Sequence, residues 1–391
     1  MEARKLALVG GPDIDSRIEL MHYFERDFQV LAVGSESTLV EQFTGAGFHY
    51  YWYHLARHVS PVADFRSFAQ LFRIFRRERP EIVHAFDTKP CVLARLAARL
   101  AGVPIVVGTL TGLGSLYVNE SVGVRVVRMI YERLQSFSCH VSDFTTFHNH
   151  EDAQYFLDRR LAPAKRTVVI PGSGVRTDIF SREAVSPADI QQARAQLGLA
   201  QEHQVITMIS RLLRTKGVLE FAEAAQIVQQ RQPQTRFLLV GPSDDDSIDR
   251  LTPAELAKLQ QAVNWPGPRR DIPVVLALSD VFVLPSYREG MPRVLLEAAS
   301  MGLPIVTADS PGCREVVEHG VNGFLVPVRD PEALAEAIMR LVDDPSLRQR
   351  FGQESRRRAA ARFDLAVVAQ QLGLLYTRLL TDKGSLPRTK T

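Results

Sequence analysis

Cysteine is scarce: Cys91, Cys139 and Cys313 are the only three in 391 residues, scattered and without a CxxC pair. That excludes a disulfide framework and a structural zinc site, and it fits a reducing compartment. Charge of one sign is also missing. Lys and Arg number 47 against 44 Asp and Glu, a formal charge of +3, too small an excess for a dedicated nucleic-acid binder. Long apolar runs are absent as well. Leu6 to Val9, before Gly10-Gly11, is too short for a signal peptide. The charge-free run Leu100 to Asn119 is broken by Gly102, Pro104, Gly108, Gly112 and Gly114, so a strand and turn are expected there and no transmembrane segment. Low-complexity tracts and short repeats are missing too, and 46% hydrophobic with 23% charged residues is a globular composition.

The chain is long enough for two domains with separate cores, since one domain takes about 100–200 residues. Short apolar runs alternate with amphipathic stretches: Leu6–Val9 then Ile18–Glu25, Ile82–Ala85 then Cys91–Ala101, Ile105–Val107 then Arg125–Phe137. The rhythm resumes at Val205–Ile209, Phe237–Val240, Val281–Leu284 and Ile305–Thr307, with helical patterns at Val218–Gln230 and Arg293–Ser300. Such βα alternation predicts two doubly wound, Rossmann-like parallel-sheet domains of the α/β class. Turn residues between Pro171 and Gln204 put the expected join near 180. The expected domains are therefore 1–180 and 181–375, with a helix end and fraying tail over 376–391.

Three segments carry candidate chemistry. Val9-Gly10-Gly11-Pro12 follows a strand and lets a ligand approach the backbone, but it is not GxGxxG, which argues against a nicotinamide cofactor. Ile209-Ser210-Arg211-Leu212-Leu213-Arg214-Thr215-Lys216-Gly217 places cations between a strand and a helix N-terminus, a setting that suits a diphosphate. Pro285 to Glu297 follows another strand and sets Glu289 and Glu297 eight positions apart, with Gly290-Met291-Pro292 between them. There one carboxylate can take sugar hydroxyls and the other ribose hydroxyls. Asp244-Asp245-Asp246 reads as a solvated turn, and no metal is expected.

Glu289 to Glu297, with Leu284-Pro285-Ser286-Tyr287 before it and Ala298-Ala299-Ser300-Met301-Gly302 after it, resembles the E-x7-E motif of retaining, nucleotide-sugar-dependent transferases of glycosyltransferase family 4. Asp309 to Glu315, Gly320 to Pro327, Val169 to Val175 and Ser210 to Gly217 are also similar to segments of that family. The resemblance implies the GT-B fold, two Rossmann-like domains facing across a cleft, with the donor held mainly by the C-terminal domain. It assigns Arg211 and Lys216 to the diphosphate, Glu297 to the ribose, and Glu289 with Gly290, Met291 and Pro292 to the donor sugar. Glu289, Arg211 and Lys216 are the catalytic candidates, and Gly11 adds a donor contact. No cofactor or metal is implied, the nucleotide sugar being a substrate.

His84-Ala85-Phe86-Asp87-Thr88-Lys89-Pro90 and Gly108 to Ser115 resemble the branch that extends polyprenyl-diphosphate-linked saccharides in bacterial glycan assembly. Where many family members have a histidine, this chain has Thr111, so the departing phosphate is the expected proton acceptor. His84, Lys89, Thr111 and Gly112 are the acceptor-side candidates. The expected reaction moves a hexose or N-acetylhexosamine, most simply from a UDP-sugar, at the inner face of the cytoplasmic membrane or in the cytoplasm. A same-fold transferase with a soluble acceptor and a catalytically silent glycan-binding protein remain as alternatives.

Tyr50-Tyr51-Trp52-Tyr53, then Phe65, Phe68, Phe72 and Phe75 at helical spacing, interleave with Arg57, Arg66, Arg73, Arg76, Arg77 and Arg79. That stretch fits either a helix resting on an anionic membrane or an ordinary core helix. Arg356-Arg357-Arg358 reads as a solvated helix face.

Overall fold

The computed structural model describes residues 4–56, 60–118 and 121–384. They form two compact units, each built on a parallel sheet. The first sheet runs β3-β2-β1-β4-β5-β6-β7. Its strands are β1 (Lys5–Val9), β2 (Gln29–Gly34), β3 (His49–Trp52), β4 (Ile82–Phe86), β5 (Ile105–Leu110), β6 (Phe144–Phe147) and β7 (Thr167–Val169). β1 and β4 are apolar almost throughout because helices cover both faces of the sheet. The helices Pro61–Glu78, Lys89–Leu100 and Val122–Val141 pack in sequence, as right-handed crossovers in one direction require.

The second sheet runs β10-β9-β8-β11-β12-β13. Its strands are β8 (Gln204–Ile209), β9 (Thr235–Val240), β10 (Asn264–Gly267), β11 (Val281–Leu284), β12 (Ile305–Ala308) and β13 (Gly323–Val326). A single core reaches from Val175 to Phe363 and includes Phe221, Phe237 and Phe282. In each sheet the chain winds outward, returns, and continues on the other side of its first strand. The strand order therefore reverses between β1 and β4 and again between β8 and β11, the points where open α/β sheets leave a ligand crevice.

The structure moves the expected boundaries. The second unit spans Gly174–Leu365, and the chain from Ala366 onward returns to the first, so neither a join at 180 nor a C-terminal domain reaching 375 holds. The physical reason is Tyr376 on the helix Leu365–Asp382, fully buried against Phe24 and Phe28 of the first unit. Gly174 marks the exit. Its φ is 80°, and a Cβ there would lie 2.8 Å from Leu365 Cα. The Val175 N–H donates to the Phe363 carbonyl and the Leu365 N–H to the Val175 carbonyl, each at 2.9 Å. Thr381 and Asp382, expected in a fraying tail, are helical, and 385–391 lie outside the described residues.

Other expectations change too. Tyr50, Tyr51 and Trp52 belong to β3, while the polar stretch after Ser186 forms a helix, Pro187–Gln196, capped by the Ser186 hydroxyl. On Pro61–Glu78, Phe75 is core and Phe68 and Phe72 pack against it, leaving Phe65 and Val62 as the exposed apolar residues. The membrane reading of that helix therefore loses its greasy face, and Arg57 lies outside the described residues. Arg356 is no solvated residue: its Nη1 lies within hydrogen-bond distance of the carbonyls of Thr177, Phe180 and Ser300, at 2.9, 3.1 and 2.7 Å. Among the described residues no helix is long and apolar enough to cross a membrane.

Candidate active site

At the reversal point of the second sheet, the loop after β8 meets the loop after β11. Gly217 caps the helix Val218–Arg231 with φ 75°, and a side chain there would strike the Pro285 carbonyl, so only glycine lets the loops close. The Tyr287 N–H donates to the Thr215 carbonyl at 2.9 Å, and Ser286 Oγ lies 3.2 Å from the same carbonyl. Tyr287 Oη donates to Glu220 at 2.5 Å, with Arg329 4.7 Å from its ring centroid.

This clamp brings Lys216 Nζ to Glu289 Oε1 at 2.5 Å. Ser286 Oγ donates to the same oxygen at 2.6 Å. Both donors take Oε1, which leaves Oε2 placed to accept from a ligand hydroxyl. Gly312, φ 77°, backs the loop: a Cβ there would lie 2.6 Å from the carbonyls of Glu289 and Gly290. Met291 packs against the core and Pro292 is buried as the N-cap of Arg293–Ser300, so the backbone from 290 to 293 is fixed from behind. The Leu295 and Leu296 N–H groups donate to the Pro292 carbonyl at 3.0 and 3.4 Å, which leaves the Arg293 and Val294 amides without an intrahelical acceptor at the end of the helix that favours an anion.

Glu297 lies on the same helix, buried, with Oε1 accepting from Arg293 Nε at 3.0 Å. Burial raises its carboxyl from 4.5 to about 7, and one arginine offsets only part of that cost. The helix begins at Arg293, so Glu289 sits in the loop ahead of it and the two acids do not share a helix face. Arg211 is exposed and its Nη1 donates to Asp244 at 2.7 Å, which corrects the reading of Asp244 as a plain solvated turn. Arg214 is tied to Glu255, at 2.9 Å from Nε and 2.5 Å from Nη2, and to the Arg250 carbonyl. Its role is therefore to hold the loop. No cluster of metal-binding side chains occurs among the described residues.

The reversal point of the first sheet is organised by Asp87, which is not among the acceptor-side candidates. Its Oδ2 accepts from the Gly11 N–H at 3.3 Å, and its Oδ1 accepts from Thr111 Oγ1 and Arg17 Nη2, each at 3.4 Å. Asp87 itself has φ 71°, a left-handed conformation that aspartate tolerates better than most residues. Gly11 and Thr111 thus share a crevice, and Gly112 follows with φ 159°. His84 and Lys89 are corrections. His84 is fully buried, its ring nitrogens hydrogen-bonded to Tyr376 Oη and Thr109 Oγ1 at 2.6 Å each, one as donor and the other as acceptor. Burial holds its pKa well below the usual 6.5. Lys89 Nζ pairs with Asp64 at 2.5 Å and donates to the Ala56 carbonyl at 2.8 Å, bracing one helix start against another.

The chain matches the family "Glycosyl transferases group 1" over residues 189–358 and the "Glycosyl transferase 4-like domain" over 19–172. It is 31% identical to the Escherichia coli UDP-Gal:alpha-D-GlcNAc-diphosphoundecaprenol alpha-1,3-galactosyltransferase, covering 84% of this chain and 83% of that protein. The chain is a family 4 glycosyltransferase. This transferase is also 26% identical to the Campylobacter jejuni N,N'-diacetylbacillosaminyl-diphospho-undecaprenol alpha-1,3-N-acetylgalactosaminyltransferase, over 92% of this chain and 93% of the relative. Among solved structures, the Anabaena protein HepE in complex with UDP superimposes with a TM-score of 0.77 at 23% identity, covering 96% of the transferase and all of HepE. The fold of the transferase is GT-B.

Proposed function

We propose that this glycosyltransferase moves a hexose or N-acetylhexosamine, with retention, from a UDP-sugar to a polyprenyl-diphosphate-linked saccharide during bacterial surface polysaccharide or glycoprotein glycan assembly. The Lys216–Glu289 pair at a strand-order reversal carries the reading. It sets a cation for a phosphate beside a carboxylate for a sugar, backed by a helix N-terminus. Two relatives whose names specify diphosphoundecaprenol acceptors, matched over most of their length, support the acceptor class.

In this reading the bond between the anomeric carbon and the β-phosphate oxygen breaks, and its electron pair stays on the diphosphate. Lys216, Arg211 and the first amides of Arg293–Ser300 stabilise that growing charge, so side-chain cations fill the part a metal plays elsewhere. Arg211 exchanges Asp244 for phosphate. Glu289 Oε2 accepts from the donor-sugar hydroxyls as positive charge develops on the ring, and Glu297 takes the ribose. The acceptor hydroxyl forms the new bond on the face the diphosphate leaves and gives its proton to the departing phosphate oxygen, which needs no separate base. Catalysis takes place at the inner face of the cytoplasmic membrane, where the transferase makes peripheral contact with anionic lipid.

The test is thermal stabilisation across nucleoside diphosphates and their sugars, followed by transfer to a polyprenyl-diphosphate saccharide. A ligand at a hundred times its Kd adds about 2.7 kcal/mol. The expected result is a shift with UDP and one UDP-sugar, then a product of unchanged anomeric configuration. Stabilisation by a different base, or an inverted product, overturns it.

A further inference from the structure

The helix Val122–Val141 is built inside out. Its inward residues are polar or weakly polar, Gln135, Ser138 and Cys139, all buried. The cause is Arg95, fully buried on the neighbouring helix Lys89–Leu100. Its Nη2 donates to Gln135 Oε1 at 2.6 Å, its Nη1 to Thr145 Oγ1 at 3.3 Å, and its Nε to the Cys91 carbonyl at 2.8 Å. A buried guanidinium demands acceptors, so the polar side of the helix is turned inward.

The apolar side is left facing water. Val122, Val126, Met129, Ile130, Leu134 and Phe137, spaced by one to four residues along one side of the helix, are 48% to 70% exposed. The solvent face of a helix is ordinarily its polar one. A contiguous apolar stripe of this length marks a contact surface.

The fully exposed charge on the helix is basic. Arg125 and Arg133 are exposed, and Arg133 shares a surface depression with Met129, Arg159, Arg160 and the half-buried Glu132. The single carboxylate of the helix, Glu132, accepts from Tyr117 Oη at 3.0 Å and Tyr155 Oη at 2.6 Å. A second copy of the chain seated on this face by two-fold symmetry would bring arginine against arginine. An anionic leaflet satisfies both parts, with apolar side chains at the acyl boundary and arginines reaching the phosphates.

We propose that the outer face of Val122–Val141 is the surface by which this transferase lies on an anionic lipid membrane. The 20-residue helix, about 30 Å long at about 1.5 Å per residue, lies flat in the interface. The inference deepens the acceptor reading above and rests on it, since a surface-bound enzyme meets a lipid-anchored saccharide in two dimensions.

The test is co-sedimentation of the full chain with vesicles of phosphatidylethanolamine containing about a third phosphatidylglycerol, and with pure phosphatidylcholine. The expected result is binding to the first, at least tenfold weaker binding to the second, and a marked loss in high salt. Replacing Met129, Ile130 and Phe137 together by Ser, and separately Arg125→Glu with Arg133→Glu, should each lower the partition coefficient at least tenfold. These residues are exposed, so melting temperatures should hold. Unchanged binding by both variants overturns the proposal. So does a wild-type dimer in light scattering that ignores vesicles and becomes monomeric in the triple Ser variant. The acceptor reading is scored separately, on a short-chain, water-soluble prenyl-diphosphate saccharide. Transfer without vesicle binding sinks the docking face alone, whereas vesicle binding without transfer to any prenyl-linked acceptor sinks the acceptor reading alone.

Discussion

In the C-terminal sheet the crevice between β8 and β11 holds Lys216 and Glu289, a pair joined through one carboxylate oxygen of the glutamate. In the N-terminal sheet the equivalent crevice, between β1 and β4, holds Asp87, whose two oxygens take the Gly11 amide, Thr111 and Arg17. Both sheets place loops at the same topological point, yet in the proposed function one presents charge to a ligand while the other spends it on its own loops. The contrast fits a donor whose diphosphate is always the same and an acceptor whose saccharide differs between enzymes. Fixed charge serves the first; shape and backbone serve the second.

The largest test of that contrast is Lys216→Ala. Loss of a preorganised charge at the leaving group should lower kcat by about 10²–10³-fold, with circular dichroism and melting temperature nearly unchanged. Steady-state transfer assays check it. Near-normal turnover would mean that the Lys216–Glu289 pair only holds the loops together, and the two crevices would then be alike.

Legibility followed the same division. Lys216, Glu289 and Glu297 could be selected from the sequence because a strand, a basic turn, a glycine and a second strand with paired acids occur in fixed order. Gly217 and Gly312 are in those segments for steric reasons that only the packed loops reveal. His84 misled because a histidine after an apolar run reads equally as core or site. Its partner Tyr376 lies 292 positions away, on a helix whose apolar spacing does not say which unit it serves. Val122–Val141 shows a different limit. Its amphipathic pattern is plain in the sequence, but patterning assumes the apolar side faces inward, and the buried Arg95 reverses that choice. The parallel-sheet, two-unit architecture was legible because parallel strands buried on both faces leave continuous apolar runs, whereas the order of the strands comes from the structure alone.

A second test asks whether the donor crevice carries its charge at the expense of stability. Glu297 has a carboxyl raised from 4.5 to about 7 by burial. A raised folded-state value means its contribution to stability is complete below pH 4.5 and is lost as pH rises through about 7, where the folded chain must hold a buried charge. At about 1.4 kcal/mol per pH unit the cost is about 3 kcal/mol. Glu297→Gln should therefore gain stability relative to wild type between pH 5 and pH 8 by roughly that amount in urea unfolding, while losing affinity for nucleotide. Parallel stability profiles for the two proteins would show that the site carries no such strain.

The smallest effect tests the other crevice. Tyr376→Phe removes one hydroxyl and leaves a nitrogen of His84 buried without its partner, which costs about 1–3 kcal/mol. The melting temperature should fall, and transfer by the folded fraction should keep its kcat and its KM for acceptor, because His84 is bonded on both sides within the core and has no nitrogen to spare for a saccharide. If the KM for acceptor instead rose tenfold with stability unchanged, His84 would belong to the acceptor site. The N-terminal crevice would then present a polar group to its ligand as the C-terminal one does, and the division of labour between the two sheets would need a different physical basis from the one argued above.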